Sequence, residues 1–309
     1  MRSGANSLYI TAIAAAVLLV FTAAATAAPA VVVASKIDTE GALLGNMILS
    51  MLGGHGVAVH NRLQLGPTNI VRAAILAGQI DIYPEYTGNG GLFFHTEADP
   101  VWKSWARGYA EVAALDRAKN HLIWLDPAPA NNTWVIAVRH DLAERAHLKT
   151  MSDFARYVLD GGYVYLAASA EFVESPSALP AFEQAYGFRL NDRQLLTLSG
   201  GNTSATLRAA AEDMSGVNAA MAYGTDGAIA ALNLVALEDD KGAQIVYAPA
   251  PVVREDVLAQ YPQIPGLLDP VFKSLTLTVL QKLNAKIAVN GDDAAAVATG
   301  YLKSQHFLP

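Results

Sequence analysis

One segment of the sequence places a carboxylate, aromatic rings and closely spaced glycines together, and this combination can bind a small charged molecule. Residues 81–91 read DIYPEYTGNGG. The apolar and aromatic start predicts a strand, and the glycines predict a turn with free backbone N–H groups. Such N–H groups can hold an anion, and the ring of Tyr86 can hold a cation. The segment therefore suits a small zwitterion, while a strand followed by an ordinary turn is the alternative that these residues alone leave open.

The composition limits the classes of protein to which the chain can belong. It has 309 residues, a formal net charge of −7, 52% hydrophobic residues and no cysteine. This length suffices for two domains, and a net negative charge without a long basic run argues against a nucleic-acid partner. The absence of cysteine excludes disulfides, thiolate catalysis and thiolate metal ligands.

Catalytic and metal-binding patterns are poorly represented. Neither a Gly-x-Ser-x-Gly nor a His-Glu-x-x-His pattern occurs. His55 and His60 flank a turn and a strand without a carboxylate cluster, so we expect no metal site and no cofactor. Asp81 and Glu85 share one face of the predicted strand, and a paired acid and base at these positions keeps an enzyme as an alternative.

The first 27 residues predict a signal peptide. Arg2 supplies the positive start, residues 8–21 are apolar, and small residues lead to an Ala-x-Ala site that ends at Ala27. The apolar run is short for a membrane span of ~20 residues, and no charged stop-transfer cluster follows it. We therefore expect cleavage near Ala27 and export to the periplasm, with a membrane anchor as the alternative.

The elements that position residues 81–91 alternate between strands and helices. Strands are predicted at 31–35, 57–65, 80–83, 121–125 and 133–138, with helices at 39–52, 69–77 and 101–120. The alternation then restarts, with helices at 152–159, 177–186 and 203–214 and strands at 163–167, 195–198, 218–223 and 234–237. Residues 251–307 are predicted to be nearly all helical. This order predicts two α/β lobes, each an open and mostly parallel sheet flanked by helices.

The restart near residue 138 sets the predicted lobe boundaries. Lobe I comprises residues 28–137 and 247–309, because the helical C-terminal part is expected to pack back on the first lobe. Lobe II comprises residues 138–246. A cleft between two such lobes is where a ligand is expected.

A series of short motifs, in order along nearly the whole chain after the leader, resembles one known family. The motifs are VASK at 33–36, TE at 39–40, LGPT at 65–68, the segment 81–88, NNTW at 131–134, LP at 179–180, AYGF at 185–188, AYGTDG at 222–227, DDK at 239–241 and APVVR at 250–254. They resemble the substrate-binding proteins of ABC importers for glycine betaine, choline, carnitine and related compatible solutes (the ProX/OsmF type). The resemblance implies a two-lobe periplasmic binding protein of type II.

An aromatic cage is the ligand site that the resemblance implies. A quaternary ammonium cannot donate a hydrogen bond and spreads its charge over methyl groups, so aromatic faces suit it, each contributing on the order of 0.5–2 kcal/mol. The family's cage positions correspond here to Tyr86, Trp134, Tyr223 and Tyr247. Packing in the core is the alternative for any single ring.

The other end of a zwitterionic ligand needs donors. Lys36 follows the first strand, at the sheet edge that faces a cleft, and its place in the matched motif implies a role as carboxylate partner. Asn89 and the backbone N–H groups of Gly88 and Gly90 are expected supporting donors. Asn132 stands where some relatives carry aspartate, and we include it among the ligand-binding residues.

One departure from the family concerns the ligand carboxylate. Ser175-Pro176 stands where the family often has Arg-Pro, so a bidentate charge-assisted contact is absent. This weakens the case for tight glycine betaine binding and leaves choline, which has no carboxylate, open.

The sequence therefore predicts a solute-binding protein that is not an enzyme, acts as a monomer, binds a small quaternary-ammonium compound and docks on the membrane permease of an ABC importer. A binding protein for another zwitterion, such as an amino acid, is the first alternative. A periplasmic enzyme or a structural partner protein is the second.

Overall fold

The computed structural model of the chain describes residues 29–198 and 203–308. The predicted signal peptide and its cleavage site near Ala27 lie outside the described residues. Within these two ranges, no helix is both long and apolar enough to cross a membrane.

The strands of the described residues form two separate five-stranded sheets. They are β1 Val31–Lys36, β2 Val59–Gly66, β3 Ile82–Tyr86, β4 Leu122–Trp124, β5 Trp134–Arg139, β6 Leu166–Ser169, β7 Leu195–Leu198, β8 Ala219–Tyr223, β9 Leu234–Ala236 and β10 Pro249–Arg254. The first sheet has the order β2-β1-β3-β10-β4 and the second β7-β6-β8-β5-β9. In each sheet one strand, β10 or β5, runs antiparallel to both of its neighbours, and the other pairs are parallel. Each sheet is therefore mixed, with two parallel and two antiparallel strand pairs, and four of its five strands run in one direction.

The helices flank both sheets. They are α1 Thr39–Gly54, α2 Thr68–Leu76, α3 Asn89–Phe94, α4 Trp105–Asn120, α5 His140–Ala146, α6 Met151–Leu159, α7 Ala170–Glu174, α8 Leu179–Tyr186, α9 Thr203–Ala211, α10 Ala228–Ala231, α11 Glu255–Gln260, α12 Ile264–Ser274, α13 Leu277–Ala288 and α14 Ala294–Ser304. Short 3₁₀ turns lie at Pro100–Lys103, Asp192–Gln194 and Met214–Gly216. The C-terminal helices α12, α13 and α14 pack on α1 of the first lobe, in one hydrophobic core.

The chain crosses between the sheets twice. After β4 it enters the second sheet as β5, and after β9 it returns to the first sheet as β10. The predicted lobe change at residue 138 falls inside β5, whose residues from Trp134 onward pair with β8 in the second sheet. The lobe change must therefore precede Trp134. The other predicted lobe limits stay predictions.

The prediction of helix over residues 251–254 is wrong, because these residues belong to β10. Val252 and Val253 are β-branched and completely buried between β3 and β4. Pro249 and Pro251 lack the N–H group that a helix interior requires. Strand pairing and burial on both faces therefore decide the conformation.

A contact between the lobes involves the segment before α10 and helix α13. The side-chain amide of Gln281 donates to the carbonyl oxygen of Gly224 over 2.7 Å, and that of Asn284 donates to the carbonyl oxygen of Thr225 over 3.0 Å. A Cβ atom at Gly227 would collide with the backbone of Ala285. Glycine at this position therefore lets the two backbones approach closely.

Candidate ligand-binding site

A cavity of about 650 Å³ lies between the two sheets and is lined from both lobes. Its lining includes all of the predicted ligand-binding residues, Lys36, Tyr86, Asn89, Asn132, Trp134, Tyr223 and Tyr247. The remaining lining residues are Asp38, Thr39, Glu40, Thr68, Glu171, Thr203, Ser204, Leu207, Thr225, Asp226, Gly227, Ala228, Asn284 and Ala288. Residues that are far apart in the sequence therefore meet around one space of a size suited to a small ligand.

Two rings of the second lobe are stacked on each other. Trp134 and Tyr223 are directly paired residues of the antiparallel strands β5 and β8, and their ring centroids lie 4.3 Å apart with an interplanar angle of 25°. Phe172 packs edge-on against Trp134, with centroids 5.4 Å apart. Neighbouring side chains on one sheet face are close enough for such contacts, so strand pairing itself positions these two rings.

Tyr247 is positioned where the chain returns to the first lobe. Its N–H donates to Oδ1 of Asn131 over 2.8 Å, and its carbonyl oxygen accepts from the N–H of Asn132 over 3.0 Å. A Cβ atom on Gly88 would lie 2.8 Å from the Tyr247 ring. Gly88 therefore gives this ring space to lie against the loop after β3.

Lys36 is engaged by a carboxylate of the protein itself. Its Nζ lies 2.5 Å from Oε1 of Glu85, and both side chains are buried. The same Nζ lies 4.5 Å from the centroid of the Tyr86 ring. The sequence predicts Lys36 as the partner of a ligand carboxylate. In the structure Glu85 already neutralises the charge of Lys36, so a ligand carboxylate would have to share this lysine with Glu85.

Glu85 also organises the loop that the sequence singled out. Its Oε1 accepts from the N–H of Tyr86 and from the side-chain amide of Asn89, both over 2.7 Å, and its Oε2 accepts from the hydroxyl of Tyr83 over 3.2 Å. The expected free N–H of Gly90 instead donates to the carbonyl oxygen of Thr87 over 3.0 Å. This part of the prediction is wrong, because the loop closes into the short helix α3 and uses the N–H group internally.

Glu40 lines the cavity, although sequence reasoning did not assign it a role. It lies in the first turn of α1, which begins where Oδ1 of Asp38 accepts from the N–H of Gly41 over 2.7 Å. Its carboxylate accepts from the hydroxyl of Tyr86 over 2.8 Å and from the amide of Asn284 over 2.7 Å. Burial raises the pKa of Glu40 to about 7. The TE motif at 39–40 was the sequence signal that could have indicated Glu40. The hydrogen-bond partners of Glu40, Tyr86 and Asn284, lie too far away in the sequence to be inferred from it.

The ionisable side chains on the cavity wall are mostly acidic. Asp38, Glu171 and Asp226 line the cavity besides Glu40, and burial raises the pKa of Asp226. Among the described residues, Lys36 is the only cationic side chain in the lining. This balance of charge favours the cationic end of a ligand over its anionic end.

Ser175, which stands where the family often has arginine, is not among the residues that line the cavity. Ser175 follows α7, and its hydroxyl lies 3.0 Å from the hydroxyl of Ser177. No arginine lines the cavity within residues 29–198 and 203–308, so a bidentate contact to a ligand carboxylate is absent from this part of the chain.

Histidine and carboxylate side chains are not clustered as metal ligands in the described ranges. These ranges contain no group of three or more histidine, cysteine, aspartate or glutamate side chains placed to hold a metal ion. His55 instead contacts the carbonyl oxygen of Met51 through Nδ1, over 2.8 Å.

Comparison with known proteins identifies the family. Residues 29–304 match the family model OpuAC, described as the substrate-binding domain of ABC-type glycine betaine transport systems. The chain belongs to this family. It is 60% identical over 279 residues to the glycine betaine-binding protein YehZ of Escherichia coli (strain K12). The matched region covers 90% of this chain and 92% of that protein.

Solved structures agree with this membership in the OpuAC family. Apo YehZ from E. coli has a TM-score of 0.84 at 59% sequence identity and covers 91% of this chain and 100% of that chain. A glycine betaine/carnitine/choline ABC transporter structure has a TM-score of 0.77 at 22% identity, covers 90% and 99% of the two chains, and shares the fold. Two mixed sheets flanked by helices, with a cavity between them, confirm the predicted type II fold.

Proposed function

We propose that this protein is the solute-binding component of an ABC importer and binds a small quaternary-ammonium compound between its lobes, with glycine betaine as the first candidate. The observation that carries the proposal is the convergence of Tyr86, Trp134, Tyr223 and Tyr247 on one cavity. Several aromatic faces around a small space suit a methylated ammonium, which cannot use hydrogen-bond acceptors. The name of the E. coli relative supports the same ligand class.

The two ends of a betaine would meet different chemistry in this cavity. Its ammonium would lie against the ring faces, near the stacked pair of Trp134 and Tyr223. Its carboxylate would approach Lys36, whose ammonium has three N–H donors and uses one of them for Glu85. A ligand carboxylate must therefore share Lys36 with a carboxylate of the protein, without help from an arginine. This supports choline as a second ligand to test.

Capture followed by closure is the mechanism that we propose. Because the lining comes from both lobes and from both crossings of the chain, a ligand can bind the closed form more tightly than the open form and shift the equilibrium toward it. The closed form would dock on a membrane permease, and no covalent step is needed. Export by the predicted signal peptide, a periplasmic location and action as a monomer complete the proposal.

Thermal unfolding with a panel of ligands tests the function. Glycine betaine, proline betaine, carnitine and choline are expected to raise the melting temperature, because a ligand that binds only the native state stabilises it by mass action. Glycine is the matched control, since it lacks the three methyl groups of glycine betaine and is expected to leave the melting temperature unchanged. An equal shift with glycine would favour an amino-acid site. No shift with any quaternary compound, at any concentration up to its solubility, would refute the proposal.

A further inference from the structure

A buried hydrogen-bond cluster around Glu40 connects the cage to the contact between the lobes. The carboxylate of Glu40, which is 5% exposed, accepts from the Tyr86 hydroxyl over 2.8 Å, and the Asn132 amide lies 3.4 Å from the same oxygen. Its other oxygen accepts from the amide of Asn284 over 2.7 Å, and that amide also donates to the carbonyl oxygen of Thr225 in the second lobe. One carboxylate therefore positions a cage ring and a residue that joins the lobes.

The cluster has more acceptors than donors. Oδ1 of Asn132 and Oδ1 of Asn284 are buried and have no hydrogen-bond partner among the described residues. An ionised carboxylate adds only acceptors to this surplus, whereas a protonated one adds a donor. The composition of the cluster therefore agrees with the burial that raises the pKa of Glu40 to about 7.

The charged groups around Glu40 come from three parts of the chain. They are Lys36 and Asp38 next to the start of α1, Glu85 on β3 and Asp226 before α10, while α13 presents the neutral Asn284. Asp38 also raises the pKa of Glu40. No histidine lines the cavity within the described ranges. Burial also raises the pKa of Asp226, but Glu40 is the one of these two carboxyl groups that accepts a hydrogen bond from the hydroxyl of a cage ring.

We propose that Glu40 is a positioning residue that couples binding of a quaternary ammonium to release of a proton. The ligand ammonium would be a positive charge in the same cavity as Glu40, so it is attracted by the ionised carboxylate, and the ligand favours that form. By linkage, the ionised carboxylate favours the ligand to the same extent. The inference rests on the proposed function, because it requires a cationic group in the cage.

Calorimetry on the unmodified protein is the first test. Glycine betaine and choline are titrated at pH 6, 7 and 8, in buffers with different ionisation enthalpies, to obtain both the affinity and the number of protons released. For a carboxyl group with a pKa of about 7, the affinity is expected to rise up to about tenfold from pH 6 to pH 8. Up to about half a proton is expected to leave per ligand at pH 7.

Three variants identify the source of the proton. Glu40→Gln is expected to abolish the proton release and the pH dependence, whereas Glu171→Gln, which removes a different carboxylate of the cavity wall, is expected to keep both. Tyr86→Phe is expected to move the midpoint of the affinity change to higher pH, because the Tyr86 hydrogen bond lowers the pKa of Glu40. This last variant keeps the test decisive if Glu40→Gln fails to fold.

The outcomes separate this inference from the proposed function. Ligand binding with equal affinity from pH 6 to pH 8 and no proton release would overturn the role of Glu40 and leave the proposed function intact. Proton release that persists in Glu40→Gln would also overturn it. No binding of either ligand at any pH would instead refute the proposed function.

Discussion

The two walls of the cavity are held in place by different forces. On the second lobe, Trp134 and Tyr223 stack on each other, Phe172 packs edge-on against Trp134, and strand pairing sets the spacing of the stacked pair. On the first lobe, Tyr86 is held by charge and hydrogen bonds, because Glu40 binds its hydroxyl and Lys36 lies over its ring. One wall is therefore preorganised by packing and the other by a buried polar network.

This difference has consequences for what each wall tolerates. Loss of one stacked ring would remove contact area with the proposed ligand but would leave no unsatisfied charge behind. Loss of one charged group from the buried network leaves its partner without compensation, so the cost appears in the stability of the whole protein. We therefore expect changes on the second lobe to act mainly on affinity and changes on the first lobe to act strongly on stability.

The largest expected effect tests the polar wall. Glu85→Gln keeps the size of the side chain but leaves the buried ammonium of Lys36 without its counter-charge, and it is expected to lower the free energy of unfolding by about 3–5 kcal/mol. Urea denaturation measures this change. Asp141→Asn is the matched control on an exposed ion pair with Arg139 and should cost about 0–1 kcal/mol. Equal costs for the two variants would mean that the buried network gives the first lobe no special sensitivity.

The second prediction uses pH on the same wall. Because burial raises the pKa of Glu40 from 4.5 to about 7, the folded state binds more protons than the unfolded state between these values. Stability from this group is therefore fully present below about pH 4.5 and is lost as pH rises through about 7. Glu40→Gln, which cannot ionise, should match the unmodified protein near pH 5 and exceed its stability at pH 8 by up to about 3 kcal/mol.

Urea denaturation of both proteins at the two pH values checks this prediction. The comparison of the variant with the unmodified protein cancels the titration of the other carboxyl groups. If the difference in stability between the two proteins is the same at pH 5 and pH 8, ionisation of Glu40 does not influence folding.

The third prediction tests the packed wall. Trp134→Ala and Tyr223→Ala are each expected to weaken glycine betaine binding by roughly 1–3 kcal/mol while the fold survives, because each variant removes one face of the cage. Calorimetry on the folded variants measures the loss. Trp105→Ala is the matched control, since Trp105 is 40% exposed on α4 and does not line the cavity. Unchanged affinity in both cage variants would remove these rings from the proposed site.

The smallest expected effect concerns the carboxylate of the proposed ligand glycine betaine. Ser175→Arg is expected to raise the affinity for glycine betaine by about 1 kcal/mol more than that for choline, since only glycine betaine offers a carboxylate to a guanidinium. Parallel titrations with both ligands provide the measurement. An equal change for both would show that position 175 does not reach the carboxylate.

The sequence by itself determined much of the local structure and identified seven of the residues that line the cavity. Alternation of apolar strands with amphipathic helices depends on neighbouring residues, and it predicted β1, β7 and the helix ending at Tyr186 to within a few positions. Matched motifs placed Tyr86 shortly after the third strand and placed Trp134 and Tyr223 near the ends of theirs; the structure has Tyr86 as the last residue of β3, Trp134 as the first of β5 and Tyr223 as the last of β8.

Only the tertiary structure decided which polar groups neutralise one another. Lys36 finds Glu85 across 49 positions of sequence, and Glu40 finds Asn284 across 244. No local pattern encodes such partners, because they are selected by the close approach of separate elements and by the cost of leaving a buried charge unpaired. The same reason explains β10, whose strand conformation depends on the two neighbours that enclose it rather than on the helical residues that follow it.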